Sequence, residues 1–420
     1  MDVTPGLRRE PMPDLDAVGQ DDALVARIRA EIERDGPITF ARFMALALYD
    51  PAGGYYRSEA ARPGRDGDFL TAPEMHPIFG AALARAVADA WDGLGRPAPF
   101  VLREYGAGTG VLAGSILDAI RAERPDVGAV LRYQAIEVEP RRLDAIDERL
   151  AAAGHGRSLD PPAPGDPLID GVVLGNEVLD ALPTHRVVVR EGALREIFVG
   201  TRDGSFVDVE AEPSTPALEA RLSSEAVILA ERQTAEICLE IDGWVADAAA
   251  GLGRGILLLI DYGHPALELY DPVRRREGTL RAYLRHRVHD DPYGHVGRQD
   301  LTAHVDVSAV ERAAAAAGLV DLGTTTQAEF LVGLGIEQLL RAIQTEPATT
   351  IEEYLLVRSA LMRLLDPRAM GRFRVMGFGR GWPVGRPLAG FGYRLAPLTD
   401  PADPADPAAD PAPAADPDPT

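Results

Sequence analysis

The sequence predicts an α/β fold: an open, mostly parallel sheet with a nucleotide-type crevice at its carboxyl edge. Three observations carry this. Apolar runs precede helical periods; Phe100, Val101 and Leu102 lead into Val111, Leu112, Ile116, Ala119 and Ile120 at three- and four-residue spacing. Gly106, Gly108 and Gly110 join that strand to its helix. Carboxylates stand at successive strand tips, namely Glu104, Glu137, Glu177 and Asp261. Ligands of open parallel sheets collect at that edge.

The turn is the chemically informative element. Glycine alone tolerates positive φ and close backbone approach, so a ligand can sit where any Cβ would collide. A dinucleotide site wants G-x-G-x-x-G/A. Counted from Gly106, the third small position is Val111, and the match fails. The pattern is E-x-G-x-G-x-G starting at Glu104, which resembles motif I of class I S-adenosylmethionine (SAM) methyltransferases. An NAD-linked enzyme is the weaker alternative. Residues 131–137 read as the neighbouring buried strand. Its terminal carboxylate, Glu137, is placed to accept both ribose hydroxyls of a nucleoside. Glu139 reads as a spectator.

Composition sets outer limits. With 420 residues, 46% hydrophobic and 26% charged, the chain is an ordinary globular one with a large core. A net charge of −22 argues against a nucleic-acid binder, because phosphates would be repelled. The lone cysteine, Cys238, forms no internal disulfide and sits in an apolar Ile-Cys-Leu context, a buried structural thiol. No run reaches the roughly 18 apolar residues of a membrane span. The N-terminal residues mix acids and prolines, unlike a signal or transit peptide. A cytoplasmic protein is expected.

In order, residues 1–20 read as a flexible N-terminus. Residues 21–95 read as a helical cap or lid, with helices at 21–34 and 40–49, a turn carrying Tyr55 and Tyr56, and a helix ending near Trp91. The methyltransferase-like domain then spans 96–395. It contains a helix at 140–152, a strand at 171–177, and an inserted antiparallel meander at 184–212, where the hydrophobic period shifts to two. A helix at 216–230, another near 242–250, and a strand ending at Asp261 follow. Residues 265–305 read as a polar loop, too long to be idle in a compact domain. Asp306 caps a helix to 318. Strands at 320–325 and 373–378 enclose helices at 335–344 and 351–365. Residues 396–420 form a disordered Ala/Asp/Pro tail. The histidines near 264–304 lack the spacing and cysteines of a metal centre, so no metal is expected.

Several stretches in order are similar to the MidA-like SAM-dependent methyltransferases. They are Gly67-Asp68-Phe69-Leu70-Thr71-Ala72-Pro73-Glu74, Glu104 to Gly110, Asn176-Glu177-Val178-Leu179-Asp180, Asp261-Tyr262-Gly263, and Asp300-Leu301-Thr302-Ala303-His304. Gly278-Thr279-Leu280-Arg281 also fits, while Ala107 departs from a common proline. That family includes a mitochondrial complex I assembly factor that methylates a protein arginine. The resemblance implies a class I methyltransferase fold: a Rossmann-like, seven-stranded, mostly parallel sheet with an antiparallel last strand. It implies SAM as methyl donor and a protein carrying the target arginine as partner. Cofactor binding is expected from Glu104, Gly106, Gly108, Gly110, Glu137, Asp68, Thr71 and Glu74. Asp261, Tyr262, Arg281 and His304 are expected at the substrate.

Chemistry adds a reason to single out Glu177, Asp180 and Asn176 as catalytic. Arginine's pKa is about 12.5–13.8, so a site should not depend on a neutral guanidine. Carboxylates hold guanidinium in a bidentate fork and take its proton as the N–C bond forms. The alternatives are a methyltransferase acting on a small molecule or another side chain, and a SAM-binding assembly chaperone without turnover. A homodimer is compatible with the sequence.

Overall fold

The computed structural model describes residues 18–58, 71–163, 165–285 and 287–395. Six strands form the central sheet: β1 (Phe100–Tyr105), β2 (Leu131–Ile136), β3 (Ile169–Asn176), β4 (Leu252–Asp261), β5 (Val320–Thr326) and β6 (Arg374–Arg380). Across the sheet they run β5-β6-β4-β3-β1-β2. β1 pairs in parallel with β2 and β3, and β3 with β4. β6 is antiparallel to both its neighbours. The chain leaves β1 for β2 on one side and returns to β3 on the other. The crevice of an open parallel sheet forms at such a reversal, here between β1 and β3.

The sheet has six strands among the described residues, not seven. At its open edge Leu159 makes only a single parallel bridge, to Tyr133. Pro161, Pro162 and Pro167 follow, and proline has no N–H to give a ladder.

Period-two alternation distributes side chains to two cores. Leu102, Val172, Leu174, Leu258 and Ile260 pack with the helices Ile78–Gly93 and Val111–Glu123 on one face. Val101, Val173, Leu257 and Leu259 pack with Glu240–Ala250 and Val307–Ala316 on the other. Burial on both faces is why these strands are almost uninterruptedly apolar. The helix Ile78–Gly93, expected in the cap, thus belongs to the central core. No helix among the described residues is long and apolar enough to cross a membrane.

A second, antiparallel sheet carries His185–Arg190, Ala193–Arg202 and Ser205–Ala211 in succession. Thr234–Ile237 adds to the first of these strands, and Ile38–Thr39 to the second, just beyond where the first stops pairing. Both additions escaped the sequence reading, because four and two residues are too few to show a period. The helix expected over 216–230 is correspondingly shorter, Ala217–Ser224. Helices Asp22–Asp35 and Phe40–Tyr49 cover this sheet through Leu24, Ile28, Phe40 and Phe43 against Val199 and Phe206. Asp21 and Thr39 cap the two helices.

The 265–305 segment is not an open loop. It holds the short helix Ala266–Leu269 and a three-stranded sheet with Arg281–Leu284 between Arg287–His289 and Asp300–Thr302. Ala282 and Leu301 enter the cap's core, so alternation turns Tyr283, Asp300 and Thr302 to the opposite face.

One packing contact sets how closely the first two core helices approach. A Cβ on Gly80 would stand 2.4 Å from Ser115 Cβ. We therefore expect Gly80→Ala to destabilise the protein by about 1–3 kcal/mol through overpacking, although alanine is about 1 kcal/mol better than glycine in a helix. A fall in thermal midpoint, partly restored by adding Ser115→Gly, is the expected result.

Candidate active site

The reversal between β1 and β3 opens into a cleft of about 1020 Å³, ample for a nucleoside joined to an amino acid. Its floor is the Gly-rich turn. Gly106, Gly108 and Gly110 have φ of +66°, +59° and +75°, where side chains are strained. Gly106 N–H donates to Ile136 O at 2.9 Å, tying the turn to the end of β2. A Cβ at Gly108 would meet nothing nearer than Gly106 O at 3.8 Å, so the space above the turn is open.

Glu137 stands beside this space. Gly108 N–H donates to its Oε1 at 2.7 Å and Val138 N–H to its Oε2 at 3.0 Å. The carboxylate is thereby oriented while each oxygen keeps further acceptor capacity. Glu104 lies buried at the cleft floor, where Tyr133 Oη donates to it at 2.6 Å. Burial raises its pKa to about 7, with Tyr133 opposing and Glu137 adding to the rise. Thr109 Oγ1 donates to Glu74 Oε1 at 2.7 Å, so the segment preceding the first core helix is pinned onto the turn. Thr71 also lines the cleft, and Asp68 lies outside the described residues. These groups fit SAM: an open cradle above glycines, a fixed carboxylate for vicinal hydroxyls, and room for the methionine portion.

The turn after β3 carries the other predicted residues. Glu177 is a non-glycine residue at φ +52°, a conformation that costs roughly 1–2 kcal/mol. Two restraints hold it there. Its N–H donates to Ile260 O at 2.8 Å. One residue on, the buried Asp261 Oδ2 accepts from Val178, Leu179 and Asp180 N–H at 3.1, 2.8 and 3.3 Å. Asp261 Oδ1 accepts from Tyr262 N–H at 2.9 Å. Burial and the nearby Asp180 raise the Asp261 carboxyl, and these donors oppose that rise.

The expected substrate contact from Asp261 is therefore corrected. Both of its oxygens are committed to backbone, and it does not line the cleft. Arg281 is corrected too: it shares a strand face with Tyr283 but does not line the cleft, its guanidinium donating to Leu280 O at 2.7 Å and lying 3.6 Å from Asp290. Tyr262 and His304 do line the cleft, with ring centroids 5.4 Å apart.

Glu177, Asp180 and Asn176 all reach the cleft. Glu177 Oε1 accepts from Ala72 N–H at 3.3 Å and Asn176 Nδ2 at 3.1 Å. Burial, then the charge of Asp180, raises the Glu177 pKa to about 7. Asp180 is buried and receives the Tyr262 hydroxyl on Oδ2, while its buried Oδ1 has no partner among the described residues. Burial raises it to about 6, with Tyr262 opposing.

Sequence reading missed much of the remaining wall, including Tyr49, Tyr56, Tyr283, Asp300, Trp244 and Phe373. Of these, Tyr56 and Asp300 fall in stretches the sequence already marked, a two-tyrosine turn and a family motif. Burial pushes the Cys238 thiol up to about 12, as suits a structural thiol.

The comparisons bear on family and cofactor. The family described as S-adenosyl-L-methionine-dependent methyltransferase matches residues 82–325. The mitochondrial protein arginine methyltransferase NDUFAF7 homolog of Drosophila melanogaster is 30% identical, with 84% of each chain covered. The human protein arginine methyltransferase NDUFAF7 is 28% identical, covering 83% of this chain and 81% of its own. A Burkholderia thailandensis protein crystallised with S-adenosyl-homocysteine (SAH) is 36% identical, with a TM-score of 0.80 over 91% of this chain and 97% of that one.

Glu137→Gln should weaken SAM by about 10- to 100-fold, the worth of a charge-assisted hydrogen bond or two. Calorimetric titration checks this, and an unchanged Kd would remove Glu137 from the cofactor. Motif, fold and relatives converge: the chain belongs to the S-adenosyl-L-methionine-dependent methyltransferase family and is an enzyme that uses SAM.

Proposed function

We propose that this methyltransferase modifies arginine on a partner protein, with Glu177 as proton acceptor. The observation that carries this is the position of Glu177, on a strained turn between the cofactor cradle and an acidic, aromatic end of the cleft. A Cβ at Gly106 would stand 2.8 Å from Val178 Cγ2, so the Glu177 turn abuts the glycine turn directly. The names of the Drosophila and human relatives support arginine as the acceptor.

SAM supplies an electrophilic methyl group on a sulfonium sulfur. The chain's own residues must then hold the acceptor nitrogen and remove one proton from it. Guanidinium resists deprotonation at neutral pH. Glu177 resolves this by accepting the proton as the nitrogen gains its methyl group. Its Oε1 is fixed by Ala72 and Asn176, and its Oε2 accepts no hydrogen bond among the described residues, which leaves that oxygen for the substrate. A carboxyl raised to about 7 is nearly matched to the working pH, where proton transfer is efficient. Asp180, on the same turn, anchors the cation. Orientation of such a pair contributes roughly 7–11 kcal/mol in favourable cases.

Glu177→Gln should cut methyl transfer by about 10²- to 10⁴-fold, the usual worth of a general base, with SAM affinity kept within about threefold. Tritiated SAM with lysate protein and mass spectrometry for methylarginine reads both enzymes; normal transfer by the variant contradicts the role. The pH profile has a definite sign. Only the ionised carboxylate accepts a proton, so kcat/KM should rise about tenfold per pH unit up to about 7, then level. That limb should be missing from the residual activity of Glu177→Gln.

A further inference from the structure

Beyond Glu177, the cleft holds two further carboxylates, Asp180 and Asp300, from two parts of the chain that the fold brings together. Tyr49 ends the helix Phe40–Tyr49 of the cap, and Tyr56 follows on the next turn. Their rings stack with centroids 5.5 Å apart. Tyr49 Oη donates to Ala181 O at 2.9 Å, which locks the pair against the Glu177–Asp180 turn. Tyr56 Oη donates to Asp300 Oδ1 at 2.8 Å, reaching the three-stranded sheet of the 265–305 segment. Asp300 is only 4% exposed and pairs in register with Tyr283, which also lines the cleft.

Two carboxylates therefore flank one aromatic pair. Asp180 comes from the β3 turn and receives Tyr262; Asp300 comes from the small sheet and receives Tyr56. Burial, then the charges of Asp300 and Asp180, raises both the Tyr49 and Tyr56 hydroxyls well above the ordinary phenol range. In the geometry, Asp300 receives the Tyr56 hydroxyl directly, and Asp180 immediately precedes the Ala181 carbonyl that receives Tyr49. Asp180 is more than nine-tenths buried, lines the cleft, and has an Oδ1 without a partner among the described residues. A buried carboxylate oxygen left in that state is costly unless a donor arrives from outside.

We propose that Tyr49, Tyr56, Asp180 and Asp300 form a subsite for a planar, delocalised cation, with Asp300 as the residue that selects guanidinium over ammonium. This rests on the arginine reading above and names the part of the site that enforces it. A guanidinium presents five N–H donors in a fixed plane, so it satisfies carboxylates on two sides while its weakly hydrated faces lie against aromatic rings. An ammonium is a strongly hydrated point charge and loses more water on entering an aromatic enclosure. Tyr56 is a positioning residue here: its hydroxyl orients Asp300, and its ring supplies one face.

The probes are agmatine, which carries a guanidinium on a short alkyl amine, and 1,5-diaminopentane, its ammonium counterpart. Binding of each is measured by NMR line broadening with and without saturating SAH. Agmatine should bind at least tenfold more tightly than the diamine. Asp300→Asn should lose at least tenfold in agmatine affinity while keeping its SAH affinity, and Tyr56→Phe should lose less because the ring remains. Equal binding of the two amines, or unchanged agmatine binding in Asp300→Asn, overturns the subsite. The arginine reading fails separately, if methylated proteins from lysate carry no methylarginine even though agmatine is selected.

Discussion

One carboxylate holds the working parts in place. Asp261, at the tip of β4, accepts backbone N–H groups from the turn that follows β3 and from its own neighbour. Without it, the turn from Val178 to Asp180 would present a row of buried donors with nothing to receive them, which is unfavourable. With it, the two adjacent strand tips are fastened together. That fastening lets Glu177 keep a left-handed conformation and point between the cofactor's cradle and the acidic end of the cleft. Strained backbone of this kind persists only where its surroundings over-determine it.

The cap follows from the same constraint. A parallel sheet offers a crevice open on one side, and a proton transfer from a weak acid such as guanidinium needs water excluded and charges placed in advance. Helices Asp22–Asp35 and Phe40–Tyr49, the antiparallel sheet and the small sheet near Asp300 share one apolar core. That core positions Tyr49, Tyr56 and Asp300 opposite the β3 turn. On the reading proposed above, the fold divides its labour: the central sheet holds the donor, and the added layers shape the pocket for the acceptor.

How much of this was legible depended on whether the signal was local. The strand, glycine turn and helix around Gly106 could be read directly, because each element's period is contained within about ten residues. Glu137 and Glu177 could be read as strand-tip acids. Asp261 could not be separated from them, since an acid at a strand tip looks the same whether it faces the ligand or the neighbouring turn. Thr234–Ile237 and Ile38–Thr39 exist because a partner strand supplies their hydrogen bonds, not because their own sequence demands a strand. The pocket of Tyr49, Tyr56, Asp180 and Asp300 includes a hydrogen bond between residues 244 positions apart, Tyr56 with Asp300, and no linear pattern encodes that meeting.

The central claim is spatial: donor and acceptor sites adjoin across Glu177. Interligand NOE measurement with SAH and agmatine bound together tests it most directly. The account predicts cross-peaks between the agmatine methylene next to the guanidine and the homocysteine methylenes of SAH. Simultaneous binding with no such cross-peak, or displacement of SAH by agmatine, would contradict it.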